Sequence, residues 1–119
     1  MIKTAPASLQ LKEETLNLKL TYYGMLCPCP QWATKENIQQ YEVCLGTKDE
    51  IPMDSVFILI EPENEKTANP FDLTYNSLEP TFTFKGRFYQ HKRKWVTEDR
   101  ITVNCRVFKY TACELYPQP

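Results

Sequence analysis

Much of what a catalyst needs is missing from this chain. It holds one histidine and three glycines, no serine in a nucleophile-elbow pattern and no glycine-rich phosphate loop, so the usual catalytic and nucleotide-binding constellations lack their parts. No apolar run approaches the roughly 20 residues that a membrane-spanning helix requires. The opening stretch, MIKTAPASLQLKEE, lacks the apolar core of a secretion signal, so the chain is expected either to be cytosolic or to have lost a leader. An excess of charge is missing too. With 14 basic against 15 acidic groups and a formal charge of -1, bulk charge alone cannot hold it to nucleic acid or anionic lipid.

What is there suits one globular domain. A chain of 119 residues can bury about two-thirds of its unfolded surface around a single core. Its 42% hydrophobic and 13% aromatic content is enough to offset the conformational entropy lost on folding. The expectation is one domain over residues 1–119, with 1–8 and 116–119 loosely ordered.

Alternation points to strands. In LNLKLTY, Leu16, Leu18, Leu20 and Tyr22 share one face while Asn17, Lys19 and Thr21 share the other. Leu9 and Leu11 hint at an earlier edge strand or a mobile leader. The run SVFILIEP, residues 55 to 62, is apolar on both parities and reads as a central strand ended by Pro62. In PTFTFKGRFYQ, Phe82, Phe84 and Phe88 face one way and Thr81, Thr83, Lys85, Arg87 and Tyr89 the other; Gly86 falls on the aromatic face, where a missing side chain admits a bend or another backbone. Along RITVNCRVFKYTACEL the parity changes between Ile101, Val103, Cys105, Val107 and Phe108, Tyr110. Either a bulge near Val107 or burial on both faces would reconcile the two halves.

One helix is expected. Thr34 can cap it, Ile38, Tyr41 and Leu45 recur at helical spacing, and Gly46 stands where its end would be. ENEKTANPFD reads as an exposed, turn-rich loop. Together these elements predict an all-β fold: a small five-stranded antiparallel barrel like the oligonucleotide-binding (OB) type, with one short helix. A two-layer sandwich is the competing architecture.

Five cysteines are an odd number, so at least one stays unpaired within a monomer. Cys105 and Cys113 would lie about 26 Å apart along one continuous strand, against the roughly 7 Å that a disulfide spans. Cys27 and Cys29 flank Pro28, which resists the small ring that a bridge between them would close. They can remain thiols, or one can bridge to Cys44. With Cys44 and a fourth group, the pair could clasp a soft metal ion such as copper(I) or zinc. The structural alternative is a stiff corner, in which Pro28 and Pro30 stop ladder pairing and Trp32 drops onto the barrel end.

A second candidate surface is FKGRFYQHKRKW. Lys85, Arg87, Tyr89 and Trp95 offer the phosphate contacts and stacking rings of a single-stranded nucleic acid site. Its plainer alternative is a solvated hairpin whose cations balance Glu98 and Asp99. Glu61, ending the ILIEP strand, is the one candidate general base, and a strand-end carboxylate is also a common solvated cap.

Three stretches together, YYGMLCPCPQW, FILIEP and FKGRFY followed by CRVFKY, resemble small extracytoplasmic proteins and lipoproteins of Bacteroidota. Those have a CxC near the first strand, a strand ending in EP and a closing VFxY strand. The resemblance spans Tyr22 to Tyr110 and implies a secreted or anchored OB-type barrel. A fainter similarity is to the N-terminal barrel of copper-responsive envelope lipoproteins, whose two cysteines are separated by two residues rather than one. The residues themselves leave a cytoplasmic location open. The reading that follows is a non-enzymatic binding or structural domain without a cofactor, with a thiol or soft-metal sensor and a nucleic acid module as the alternatives.

Overall fold

A computed structural model describes residues 10–24, 31–72, 80–96, 100 and 102–116. Among them are the strands β1 (Leu16–Tyr22), β2 (Trp32–Ala33), β3 (Ile58–Pro62), β4 (Thr81–Phe88), β5 (Arg93–Val96) and β6 (Thr102–Tyr116). Between β2 and β3 lie α1 (Lys35–Cys44) and the single turn α2 (Met53–Val56); a 3₁₀ turn, Pro70–Asp72, precedes β4.

Five strands close into a barrel. The ring runs β1, β2, β3, β6, β4 and back to β1, with β5 added as a hairpin arm on the first residues of β6. Every seam of the ring is antiparallel except β3–β6, where Ile58 to Pro62 run parallel to Arg106 to Tyr110. A parallel seam needs a long crossover, and the intervening β4 and β5 supply it. The expected OB-like barrel is therefore present, with one seam of mixed direction.

β1 follows its alternation. Leu20 is fully buried, and Leu16, Leu18 and Tyr22 pack against the same interior cluster, with Trp32, Phe82, Phe84, Phe108 and Tyr110 around them. Burying each of these large side chains contributes on the order of 2 kcal/mol. Trp32 meets Phe84 edge to face at 5.2 Å, and Phe84 meets Tyr110 at 5.1 Å. Thr21, on the wet parity of β1, is buried because it faces Thr81 across the sheet, and the two hydroxyls bond at 2.6 Å. Each satisfies the other where water cannot.

The long strand β6 resolves its parity in two ways. Cys105 and Val107 pack outside the barrel with Tyr89, Leu11 and Leu59, while Phe108 and Tyr110 point inside. Both faces are thus buried, as one of the two expectations held. A bulge exists as well, but at Thr111 rather than near Val107: the register passes from Lys85↔Ala112 to Gly86↔Tyr110. That extra residue restores the inward parity for Cys113 and Leu115.

Gly86 is where the two backbones nearly touch. A β-carbon there would stand 2.1 Å from the Lys109 carbonyl oxygen and 2.7 Å from Tyr110 Cα, so no other residue fits without moving a strand. At the end of α1, Gly46 takes the left-handed φ of 77° that stops the helix. The Thr34 hydroxyl caps its start by accepting from Asn37 N at 3.2 Å. Ile38 and Tyr41 pack toward Phe57, whereas Leu45 is 49% exposed.

Three expectations need correcting. Ser55 and Val56 belong to α2 rather than to the strand, because Pro52 opens a helical turn in which Ser55 N bonds Pro52 O and Phe57 N bonds Met53 O. Tyr116 is the paired last residue of β6, opposite Thr81 and beneath the Lys19 ammonium at 3.8 Å. Arg93 to Val96, read as part of a basic connection, pair with Thr102 to Cys105 as β5. Leu11 forms an isolated bridge to Tyr89, while residues 1–9 and 117–119 lie outside the described part.

Candidate functional site

The barrel has a mouth, and its walls come from elements distant in the chain. Tyr22 ends β1, Trp32 starts β2, Ile60 and Pro62 lie on β3, and Tyr110 comes from β6. The fifth wall is the loop after β3. There the Asn69 side-chain oxygen accepts from Phe71 N at 3.0 Å, a turn that Pro70 stiffens by fixing its own backbone angle. Pro70 is buried and Phe71 is set on the rim, 48% exposed. Its ring meets Tyr22 edge to face at 5.0 Å and Trp32 at 5.9 Å, while Tyr22 and Trp32 are 5.3 Å apart.

The result is a cleft of about 310 Å³, completed by Gln31 and Leu59. None of its ten lining residues carries a formal charge. Burial pushes the Tyr110 hydroxyl up to about 12, so it stays protonated, and the described walls of the mouth stay neutral across the physiological range. Its polar lining is Gln31, Asn69 and the tyrosine hydroxyls; the Asn69 oxygen already accepts from Phe71 N, and the Gln31 amide oxygen is buried.

The expected cysteine site is only partly in view. Cys27 and Cys29 lie in residues 25–30, outside the described part. The chain between Gly24 and Gln31 joins β1 to β2, and its neck is closed by Tyr23 N donating to Gln31 O at 2.9 Å. That connection leaves and re-enters beside the mouth, since Tyr22, Gln31 and Trp32 are among its walls. Cys44, Cys105 and Cys113 are free thiols, Cys44 half-buried at the end of α1 and the other two buried. Burial raises both buried thiols above their ordinary value, which makes them poor nucleophiles. Among the described residues no group of histidine, cysteine or carboxylate side chains is placed to hold a metal.

The basic and aromatic set is divided by the fold. Lys85 is exposed on β4, and Arg87, half-buried two residues on, donates its Nε to Lys12 O. Tyr89 does not present a ring for stacking, because the Leu11 segment covers it and leaves it 8% exposed. Its hydroxyl donates to Glu61 Oε1, while Arg93 bonds Glu61 Oε2 at 2.9 Å and lies over the Tyr89 ring at 5.1 Å. Trp95 takes its place in β5 opposite Val103.

Glu61, the candidate base, is therefore occupied. Burial alone would raise its carboxyl, but the bonds from Tyr89 and Arg93 and the charges of Arg93 and Lys109 outweigh this and hold it below the ordinary carboxylate value. Sequence reasoning passed over Tyr22, Phe71 and Tyr110 as site residues. The one local signal was NPF, whose Asn-Pro turn predicts a presented aromatic. Comparison with family models, curated proteins and solved structures finds no match.

Proposed function

We propose that this chain is a non-enzymatic binding domain whose site is the barrel mouth, and that its ligand is an uncharged oligosaccharide. The observation that carries this reading is a cleft of about 310 Å³ with three mutually packed aromatic rings at its edge and no formal charge among the described residues of its walls. Rings offer apolar faces to the C–H faces of a sugar, and the tyrosine hydroxyls and the Asn69 amide nitrogen suit its hydroxyl groups. Barrels of OB type bind oligonucleotides or oligosaccharides along the second and third strands and the loop after the first. With no cation among the described residues that line it, the mouth favours the neutral ligand of the two, because phosphate contacts need positive charge.

The committed state of Glu61 supports binding over catalysis, since a base already bonded to Tyr89 and Arg93 and held low is poorly placed to take a proton. An extracytoplasmic setting, which the resemblance implies, is part of the proposal and would put polysaccharide fragments within reach.

The test uses Trp32 as reporter. In a Trp95→Phe protein it is the only indole, because the chain has two tryptophans. Neutral gluco- and chito-oligosaccharides are titrated in, with a proline-rich peptide as the competing neutral ligand. A saturable fluorescence change with a saccharide is expected, and Phe71→Ala, a change on the exposed rim, should weaken it about tenfold or more. Flat titrations with every saccharide would defeat the proposal, and a response to the peptide alone would reassign the ligand class.

A further inference from the structure

On the outer side of the same wall lies a second groove, of about 260 Å³, formed where β4 crosses β6. Of the charged side chains lining it, Lys85, Arg87 and Lys109 are cations and Glu63 is the single acid. The register puts Arg87 directly opposite Lys109. Like charges facing each other across an antiparallel pair repel, and the attraction of Lys109 to Glu61 on its other side offsets this in part. Lys85 shares the outward parity of Arg87, two residues earlier on β4. The acid next to Lys109 across the parallel seam is Glu61, which already bonds Arg93 and Tyr89.

The bulge shapes this groove. Thr111 is the extra residue of β6, and its hydroxyl bonds the Lys85 carbonyl oxygen at 3.3 Å. It holds the two strands in the sharp local twist that bulges introduce, a device that recurs beside binding sites. Arg87 is oriented by its Nε bond to Lys12 O. A guanidinium held at one edge and two ammonium groups around a concave surface match the oxygens of a phosphate group in charge and in donor geometry.

We infer that this groove is an anion site for a phosphate-bearing ligand, separate from the barrel mouth. Bound phosphate relieves the repulsion between Arg87 and Lys109 and draws Lys85 over the groove. The site does not use Tyr89, whose hydroxyl is bonded to Glu61.

Nitrogen-15-labelled protein tests this when titrated with inorganic pyrophosphate and, in a separate arm, with an oligothymidylate. The backbone amides of residues 85–87 and 109–111 should shift together and saturate, with a dissociation constant of about 1 mM or tighter. Affinity should fall as salt rises. Lys109→Gln should weaken binding about tenfold or more with little change in melting temperature, because it removes both the charge opposed to Arg87 and an attraction to Glu61. Lys85→Gln, at an exposed position, should weaken binding more modestly and leave the melting temperature close to the parent's. Tighter binding of oligothymidylate than of pyrophosphate would identify a phosphodiester chain as the ligand, and the reverse a free phosphate group. Shifts that do not saturate, or that are spread over lysines across the whole surface, would overturn the inference, as would unchanged affinity in both variants.

Discussion

Two candidate sites on one wall share a strand and little else. Tyr110 points from β6 into the neutral mouth, while its neighbours Lys109 and Thr111 face the charged outer groove. The difference teaches how a small barrel separates chemistries: the two-residue period of a strand puts a ring on one side and a cation on the other, with only a backbone between them. The mouth is built from distant segments and depends on packing. The groove takes its three cations from two paired strands and so depends on register, with Leu11, Thr15 and Glu63 completing its rim.

The strongest way to break the comparison is at the point both sites share. Gly86→Ala sets a methyl group against the Lys109 carbonyl and Tyr110 Cα, so β4 and β6 must part. We expect a loss of roughly 3 kcal/mol or more, measured by urea unfolding, with both binding activities reduced together. Loss of one activity alone would mean that the two sites do not rest on this crossing.

A smaller change isolates the mouth. Tyr110 stays neutral in the fold up to about 12, whereas an unfolded tyrosine ionises near 10. Its contribution is whole below pH about 10 and is lost as the pH climbs toward about 12, a change on the order of 2 kcal/mol. Tyr110→Phe should flatten that alkaline limb, read as melting temperature against pH, and leave pyrophosphate binding at neutral pH intact.

The smallest expected effect falls on the outer side. The Glu61 carboxyl is held low, so its stabilisation is present at neutral pH and fades as the pH falls below the ordinary carboxylate range. Both partners are about a third exposed, which limits the ion pair to about 1 kcal/mol or less. Glu61→Gln should shallow the acid limb of the stability curve and free the β5 arm, seen as faster amide exchange at Arg93 and Lys94, without touching saccharide binding.

These contrasts also show what the residue pattern could carry. β1 was legible because four of its residues alternate into one apolar face, and Gly86 because a glycine on an aromatic face has few other uses. Thr34, Ile38 and Gly46 marked α1 by capping and spacing. The mouth was not legible, since Tyr22, Phe71 and Tyr110 come from three separate segments and no local period links them. Tyr89 misled for a related reason: one residue past β4 it continues the outward parity, but a segment far away in the chain covers it. β5 was hidden because four residues running on from a basic connection are too few for an alternation to show. α2 was hidden by the β-branched run that follows it.

The reliance of β3, β4 and β5 on β6 has a temporal consequence during synthesis. On a ribosome, three strands wait with unpaired edges until residues up to Tyr116 have left the exit tunnel, so the ring cannot seal one strand at a time. Folding is thereby deferred to the end of translation of this domain, and any chain released short of β6 emerges as an open sheet inviting capture by chaperones or proteases.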